Sequence, residues 1–493
     1  MQTVPTQEVP IVAPVVSSGA QASVLGRLCV ALFEPVDISF LVFFRIVFGG
    51  IMLWETYRYF THGWITRYFV EPAVNFPYYG FSWVKPWPGS GMYVHFFVLG
   101  LAAAFVMVGF LYRIAAPVLF LTFTYSFLLD QTRFMNHFYL VCLISFLMCF
   151  LPAERAFSVD SLLRRKIRSD VAPAWTLWLL RVQVGIPYFF GGIAKLNSDW
   201  IQGGEPMRIW LSPLAKIPAF GHIFAADWVV FSFVIGGLLL DLMVVPLLLW
   251  RRTRLFAFVA AVSFNLMNSL LFDIGIFPWL MLGALLIYFP PDVPRRFARA
   301  FMSSGEESSD NEPSPRRVER SSCPTLITSQ KLVMGLLAAY LAVQVILPLR
   351  HYLYPGNVSW TEEGHNFAWH MKLRTKTGEA VFTVTHPQSG QTWTIKPDDY
   401  LKSHQVMKMI TKPDLILHFA HYLAELKRRE GYENVEVRAR AMVSLNGREP
   451  QLLIDPNVDL TKEEVGMLPA RWILPLTTPL GSPRSLNGSV VDE

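Results

Sequence analysis

Charge is scarce in this 493-residue chain: Asp, Glu, Lys and Arg make up 16% of it, against 53% hydrophobic residues. At a mean hydropathy of +0.36, so little charge excludes a water-soluble fold for the first two-thirds and defines a polytopic membrane protein. Cysteine is scarce too. Cys29, Cys142, Cys149 and Cys323 have no metal-ligand spacing, which argues against a zinc or disulfide framework. Cys142 and Cys149 share a helix face and read as core packing. The stretch Met1 to Gln21 lacks a basic segment ahead of an apolar one, so no cleaved signal peptide is expected there. Internal repeats are missing. The net charge of +6 raises the question of nucleic acid, but the basic residues sit in loops between apolar segments, which is a topology signal; no nucleic-acid partner is expected.

What the chain does have is long apolar runs, near 39–56, 92–112, 114–129, 138–151, 173–193, 228–250, 255–272, 276–290 and 331–348. They predict a mainly α polytopic membrane helix bundle of about nine spans. A small α+β or β-sandwich-like extracytoplasmic domain is expected to follow. The expected divisions are a cytoplasmic tail at 1–38, a transmembrane domain at 39–349 with a disordered cytoplasmic linker near 302–325, the extracytoplasmic domain at 350–474, and a disordered tail at 475–493. With the amino terminus in the cytoplasm, the clusters Arg164-Arg165-Lys166 and Arg251-Arg252-Thr253-Arg254 lie inside and the C-terminal domain outside. In that domain Phe367 to Leu373, Ala380 to Thr385, Gln391 to Ile395, Val435 to Leu445 and Gln451 to Ile454 read as strands. The last two flank the hairpin signal Asn446-Gly447. Helical patterns cover 398–410 and 413–429, the second opened by Pro413 and closed by Gly431.

On this topology four turns deliver polar groups to the outer face: Asn136-His137, Lys195, Asn265 with Asn268 and Asp273, and Arg350-His351. Polar groups held at membrane depth are costly, so a convergent set marks a candidate site. Lys195 stands where an apolar segment ends in Leu196-Asn197-Ser198-Asp199-Trp200. Screened from water, its charged form is disfavoured and it can serve as a base; the bland alternative is a lysine that snorkels to the interface. His137 also reads as an interfacial hydrogen-bonding residue, and Asn268 as a bond between helices. Arg45, Arg181 and Asp241, inside spans, read as internal ion pairs. His418 and His421 have no third ligand in view, so no metal is expected.

Several blocks carry a family resemblance: Phe127-Leu128-Leu129-Asp130 with Asn136-His137-Phe138-Tyr139-Leu140, Phe157-Ser158-Val159-Asp160-Ser161-Leu162-Leu163, and Gly192-Ile193-Ala194-Lys195-Leu196-Asn197-Ser198-Asp199-Trp200. Met267-Asn268-Ser269, Ile274-Gly275, Leu349-Arg350-His351-Tyr352-Leu353, Trp369 and Asp455-Pro456-Asn457 continue it. From about residue 40 to 460 the chain resembles the vitamin K-dependent gamma-glutamyl carboxylases of the prokaryotic type, which carry a horizontally transferred transmembrane (HTTM) domain. The resemblance implies an enzyme that oxidises a reduced naphthoquinone, reduced vitamin K, with O2 to its epoxide and adds CO2 to peptide glutamate. It implies Lys195 and His137 as catalytic residues and Asn136 and Asn268 as quinone-binding. From their chemistry, Arg350 and His351 suit the carboxylate of a peptide or protein substrate. Ala194 and Asn197 depart from the family pattern, which often has a second lysine before the catalytic one. Two other readings stay open: a quinone-epoxidising membrane enzyme that does not carboxylate glutamate, and a non-enzymatic membrane receptor or scaffold. Membrane lipid is an expected partner in every case.

Overall fold

The computed structural model describes residues 24–218, 221–272, 274–302 and 328–480. Residues 1–23 of the tail expected over 1–38, residues 481–493 of the tail expected over 475–493, the linker expected near 302–325 from residue 303 onward, Asp273 and Cys323 lie outside the described residues. In chain order the first part folds into α1 (Val24–Phe33), α2 (Ser39–Thr61), α3 (Gly91–Val108), α4 (Tyr112–Leu128), α5 (Asn136–Met148), α6 (Ala174–Ala194), α7 (Asp227–Leu249), α8 (Arg254–Leu271), α9 (Phe277–Leu285), α10 (Val293–Met302) and α11 (Thr328–Leu349). Two short strands, β1 (Pro35–Asp37) and β2 (Val171–Pro173), pair antiparallel. Residues 24–38 are therefore structured, where the sequence suggested a tail.

Among the described residues six helices, α2, α3, α6, α7, α8 and α11, are long and apolar enough to cross a bilayer. The 23 residues of α2 rise about 35 Å, more than the roughly 30 Å of a hydrocarbon core. The 13 residues of α5 reach only about 20 Å, and most of its side chains are buried, so neighbouring helices rather than lipid surround it. The Phe157–Leu163 block explains how α4 starts. Ser158 and Ser161 form a capping box, and both carboxylate oxygens of Asp160 accept from the backbone N–H groups of Leu111 and Tyr112. Such caps contribute about 1 kcal/mol each.

Two in-span arginines correct the ion-pair expectation. Arg45 donates to the carbonyls of Ala153, Ala156 and Phe157, and Arg181 to those of Ile287 and Phe289. Each guanidinium satisfies carbonyls that end a helix or turn. Gly192 governs the approach of α6 to α7: a Cβ there would lie 2.6 Å from Leu242 Cδ2.

The C-terminal part forms a four-stranded antiparallel sheet of order β4-β3-β5-β6, from β3 (Lys376–His386), β4 (Gln391–Ile395), β5 (Glu436–Leu445) and β6 (Gln451–Leu452). Phe382, Val384, Val437 and Ala439 of the sheet share a core with Leu415, Phe419 and Leu423 of α13 (Pro413–Arg429). The α+β alternative is the one realised. The helical pattern at 398–410 resolves into a single turn at Pro397–Asp399 and α12 (Ser403–Met409). Residues 475–480, expected in the disordered tail, are tied down: Gln451 Oε1 accepts from the N–H groups of Thr477 and Thr478.

The strand expected over Phe367 to Leu373 is absent. Phe367, Trp369 and Lys372 have φ of 66°, 59° and 49°, values incompatible with extended backbone. The aromatic residues that suggested a strand are instead anchors. Phe367 packs on Tyr78, Phe127, Phe134 and Tyr139, and Trp369 on Tyr139. This loop joins the two parts of the molecule.

Candidate active site

A cavity of about 810 Å³ lies where α5, α6, α7, α8 and α9 meet beneath the 365–374 loop. That is the size of a small-molecule site, not of a packing defect. Its inner wall is apolar, with Leu240, Phe264, Met267, Leu271 and Phe277. Gly236 and Gly237 of α7 add open wall, since a Cβ at either would meet nothing within 4 Å.

Lys195, the residue after α6, is 6% exposed and lines this cavity. Its ammonium is not solitary, as the sequence suggested, but donates to Asp241 Oδ2 on α7; Gly191 O lies 3.5 Å away and the Trp200 ring 5.4 Å. Asp241, 4% exposed, also lines the cavity. It belongs to an ion pair, as expected of it, and its partner is the candidate base. The two small residues before Ile193 make the pair possible. Gly192 lets α7 approach, and a Cβ on Gly191 would stand 3.5 Å from Asp241 Oδ2 and 3.1 Å from Met371 Cε. A buried lysine and a buried carboxylate in contact carry no net charge, which offsets part of the cost of burying either.

Asn136 and His137 open α5 at the same cavity. Asn136 Nδ2 donates to His370 O at 3.0 Å, while its Oδ1 is buried without a partner among the described residues. The His137 ring packs on Phe138 and Phe277, and its Nε2 is 3.8 Å from where a Cβ on Gly275 would be. Gly275, at φ 57°, takes the left-handed conformation that glycine adopts without strain. From α8, Asn268 lines the cavity, and Asn265 donates to Tyr188 Oη at 3.3 Å and to Ala261 O at 2.8 Å.

Arg350 and His351 lie outside the cavity lining. Arg350 donates to Asn366 O at 2.6 Å and its guanidinium stands 5.6 Å from the Phe367 ring centre. His351 Nδ1 contacts Pro348 O, and its ring meets that of His370 edge-on. Both buttress the loop from behind. His418 and His421 sit on α13; His421 Nε2 contacts Leu460 O, and no group of metal-ligating side chains gathers among the described residues.

The outer rim holds groups the sequence reading did not single out. His365 and His370 are 8% and 7% exposed, and both ring nitrogens of His370 lack partners among the described residues. Burial, with His351 and Arg374 nearby, pushes the His370 imidazole down to about 3; burial, Arg374 and His370 hold His365 well below its ordinary value. Around them stand Lys372, Arg374, Lys408 and Lys412. Glu362 is already engaged by Arg374 and Lys376. Scattered over two segments, these cations form no sequence motif.

Asp199 fixes the extramembrane domain above the cavity. Its oxygens accept two bonds of 2.7 Å from the Arg448 guanidinium and one of 2.8 Å from Asn446 Nδ2. The Asn446-Gly447 turn, at φ 52° and 74°, is closed by Arg448 N–H to Leu445 O. The ladder resumes only at Val443 opposite Gln451, so the turn projects from the sheet to reach Asp199. Gln405 of α12 adds a second tie, donating to Asp130 Oδ2 and Val74 O.

The fold and the cavity define a class: a polytopic membrane protein whose ligand-sized chamber is closed by its own C-terminal α+β domain. The HTTM domain family model matches residues 33–293, and that of the vitamin K-dependent gamma-carboxylase lumenal domain matches residues 329–479. The chain belongs to the vitamin K-dependent gamma-glutamyl carboxylase family. No solved structure matches it significantly.

Proposed function

We propose that the protein couples oxidation of a reduced naphthoquinone to its epoxide with addition of CO2 to peptide glutamate. The observation that carries this reading is the buried Lys195–Asp241 pair in the wall of the cavity that Asn136, His137 and Asn268 also face. The cavity suits a flat apolar ring system: its volume, the open wall at Gly236 and Gly237, and the unpartnered Asn136 Oδ1 fit a ring bearing hydroxyl groups. When bound, reduced vitamin K with O2 supplies a base strong enough to remove a γ-proton from glutamate, and departs as its epoxide.

The residues have distinct tasks. Lys195 and Asp241 act as one unit that accepts a proton, held at Asp241 Oδ2, and gains a single positive charge; returning the proton restores neutrality. Asn136 Oδ1 accepts from a ring hydroxyl, and His137 and Asn268 donate to oxygen where negative charge develops. The 365–374 loop and the apolar wall exclude water, which would otherwise quench a carbanion. Arg350 and His351 support that loop. We also infer an outward-facing C-terminal domain: Ala174 and Leu249 lie at the ends of α6 and α7 remote from it, next to the basic clusters at 164–168 and 251–254.

The test uses the purified full chain with reduced vitamin K, O2 and labelled bicarbonate, with and without a glutamate peptide. Epoxide together with label in the peptide is the expected result. Epoxide without label supports the quinone-oxidising alternative, and epoxide formation that survives Lys195→Ala removes Lys195 from the mechanism.

A further inference from the structure

Lys408 and Lys412 stand out on the cavity rim because no carboxylate contacts either of them among the described residues; Glu362 acts on both, and Asp414 on Lys412, only from beyond ion-pair distance. Lys408 lies in the last turn of α12, and Lys412 precedes Pro413 of α13. Both line the cavity, and neither forms an ion pair among the described residues. Neighbouring cations are already employed: Arg374 holds Glu362 and His365, and Lys376 holds Glu362, Trp360 O and Thr411 O. Lys408 is accessible, yet surrounding protein, followed by Lys412 and Arg374, pushes its ammonium down to about 8. Two like charges kept together with no carboxylate in contact, the nearby Glu362 being held by Arg374 and Lys376, are unfavourable in the free protein, and the cost is relieved when an anion arrives. The buried, unpartnered His370 ring, which lines the same cavity, marks it as a place where a ligand's polar groups are missing.

We propose that Lys408 and Lys412 bind carboxylates that flank the target glutamate, so that the protein selects acidic peptides. This rests on the carboxylase reading for the identity of the target. It adds a rule of choice: the flanking acids are held at the rim while the reacting side chain enters the cavity. Two ammonium groups on adjoining segments suit two carboxylates on a flexible chain, since each is a compact point charge without a fixed fork.

The test compares two fluorescent peptides, each with one central glutamate, flanked in one by glutamates and in the other by glutamines. Binding to the full-length protein in detergent is read by anisotropy without quinone, and label incorporation is measured separately. We expect the acid-flanked peptide to bind about tenfold more tightly at low salt, an advantage that falls to about twofold or less at high salt. The Lys408→Gln/Lys412→Gln double variant should abolish the advantage, while Lys408→Arg/Lys412→Arg keeps most of it; Lys396→Gln, at an exposed lysine of the same domain, serves as control. Equal binding of both peptides by the unaltered protein, or an advantage that survives the double glutamine variant, overturns the proposal. Should the glutamine variant not fold, the salt dependence and the arginine variant decide. Acid-selective binding through these lysines with no label in either peptide defeats the carboxylase reading and leaves the rim assignment standing. Label in both peptides with equal binding does the reverse.

Discussion

Replacing Asp241 by Asn tests whether Lys195 works alone or as half of a pair. Asn keeps the shape and can still accept from Nζ, but it cannot hold a proton. In the native protein both partners are almost fully buried and in contact. Deleting one charge from such a pair costs about 3–5 kcal/mol when the other remains ionised, whereas neutralising both costs little. The Asp241→Asn and Lys195→Met variants should therefore melt at lower temperature than the double variant Asp241→Asn/Lys195→Met. Epoxide formation should behave differently. A positioned acid–base group contributes about 10²–10⁴ in rate, or about 2.7–5.5 kcal/mol, so either single variant should lose that much. Because the pair acts as one unit, the double variant should be no slower than the worse single one. The assay is initial epoxide formation in detergent beside a thermal melt of all four proteins. If Asp241→Asn keeps activity within about twofold while Lys195→Met abolishes it, the carboxylate is only a counterion and the shared-proton argument is refuted.

Other perturbations have equally definite outcomes. Gly192→Val places methyl groups where even a Cβ would lie 2.6 Å from Leu242; overpacking of this kind costs about 1–3 kcal/mol, and by parting α6 from α7 it should lower epoxide formation as well as melting temperature. Arg448→Met leaves the Asp199 carboxylate buried beneath the extramembrane domain without its guanidinium, so the domain should become sensitive to limited proteolysis, with a loss of about 3–5 kcal/mol. Acid should destabilise the fold through His370: held down to about 3 against an ordinary 6.5, it refuses a proton that the unfolded chain accepts. Stability is then complete above about pH 6.5 and falls towards pH 3 with a limiting slope of about 1.4 kcal/mol per pH unit for this residue; His370→Phe should flatten that limb in pH-dependent melts.

How much of this was legible in the sequence depended on distance along the chain. Local signals served well. Pro413 and Gly431 bracket α13, and Asn446-Gly447 adopts its left-handed turn. Apolar runs located the membrane helices, although α2 continues to Thr61 past the expected 56, through a polar turn in which Arg58 pairs with Glu55. Signals that depend on a partner failed. The Phe367–Leu373 run has the composition of a strand, but its aromatic side chains are claimed by α4 and α5, and the backbone bends to suit them. For the site, the blocks around Asn136-His137 and Lys195 were visible, while the pairing of Lys195 with Asp241 was not. A lone cation and a lone anion among apolar spans each ask for a partner, but with Arg45 and Arg181 also present, only the helix packing decides which two meet.

The resulting charge distribution bears on why the chamber sits where it does. Inside, the Lys195–Asp241 pair is neutral as a unit amid an apolar wall of Leu240, Phe264, Met267, Leu271 and Phe277, so this part of the cavity offers little net charge that would draw in water. At the rim the charge is positive and only partly answered by Glu362. An anionic peptide would thus meet an attractive field before it meets the dry interior, and within a Debye length of about 8 Å that field is weakly screened. On the proposed reaction, cations inside would instead trap the carboxylate as a stable ion pair and keep its γ-carbon from the quinone ring. Attraction at the rim and neutrality within are therefore two halves of one requirement, and the Asp199–Arg448 tie keeps them in register by holding the domain that bears the lysines over the helices that bear the pair.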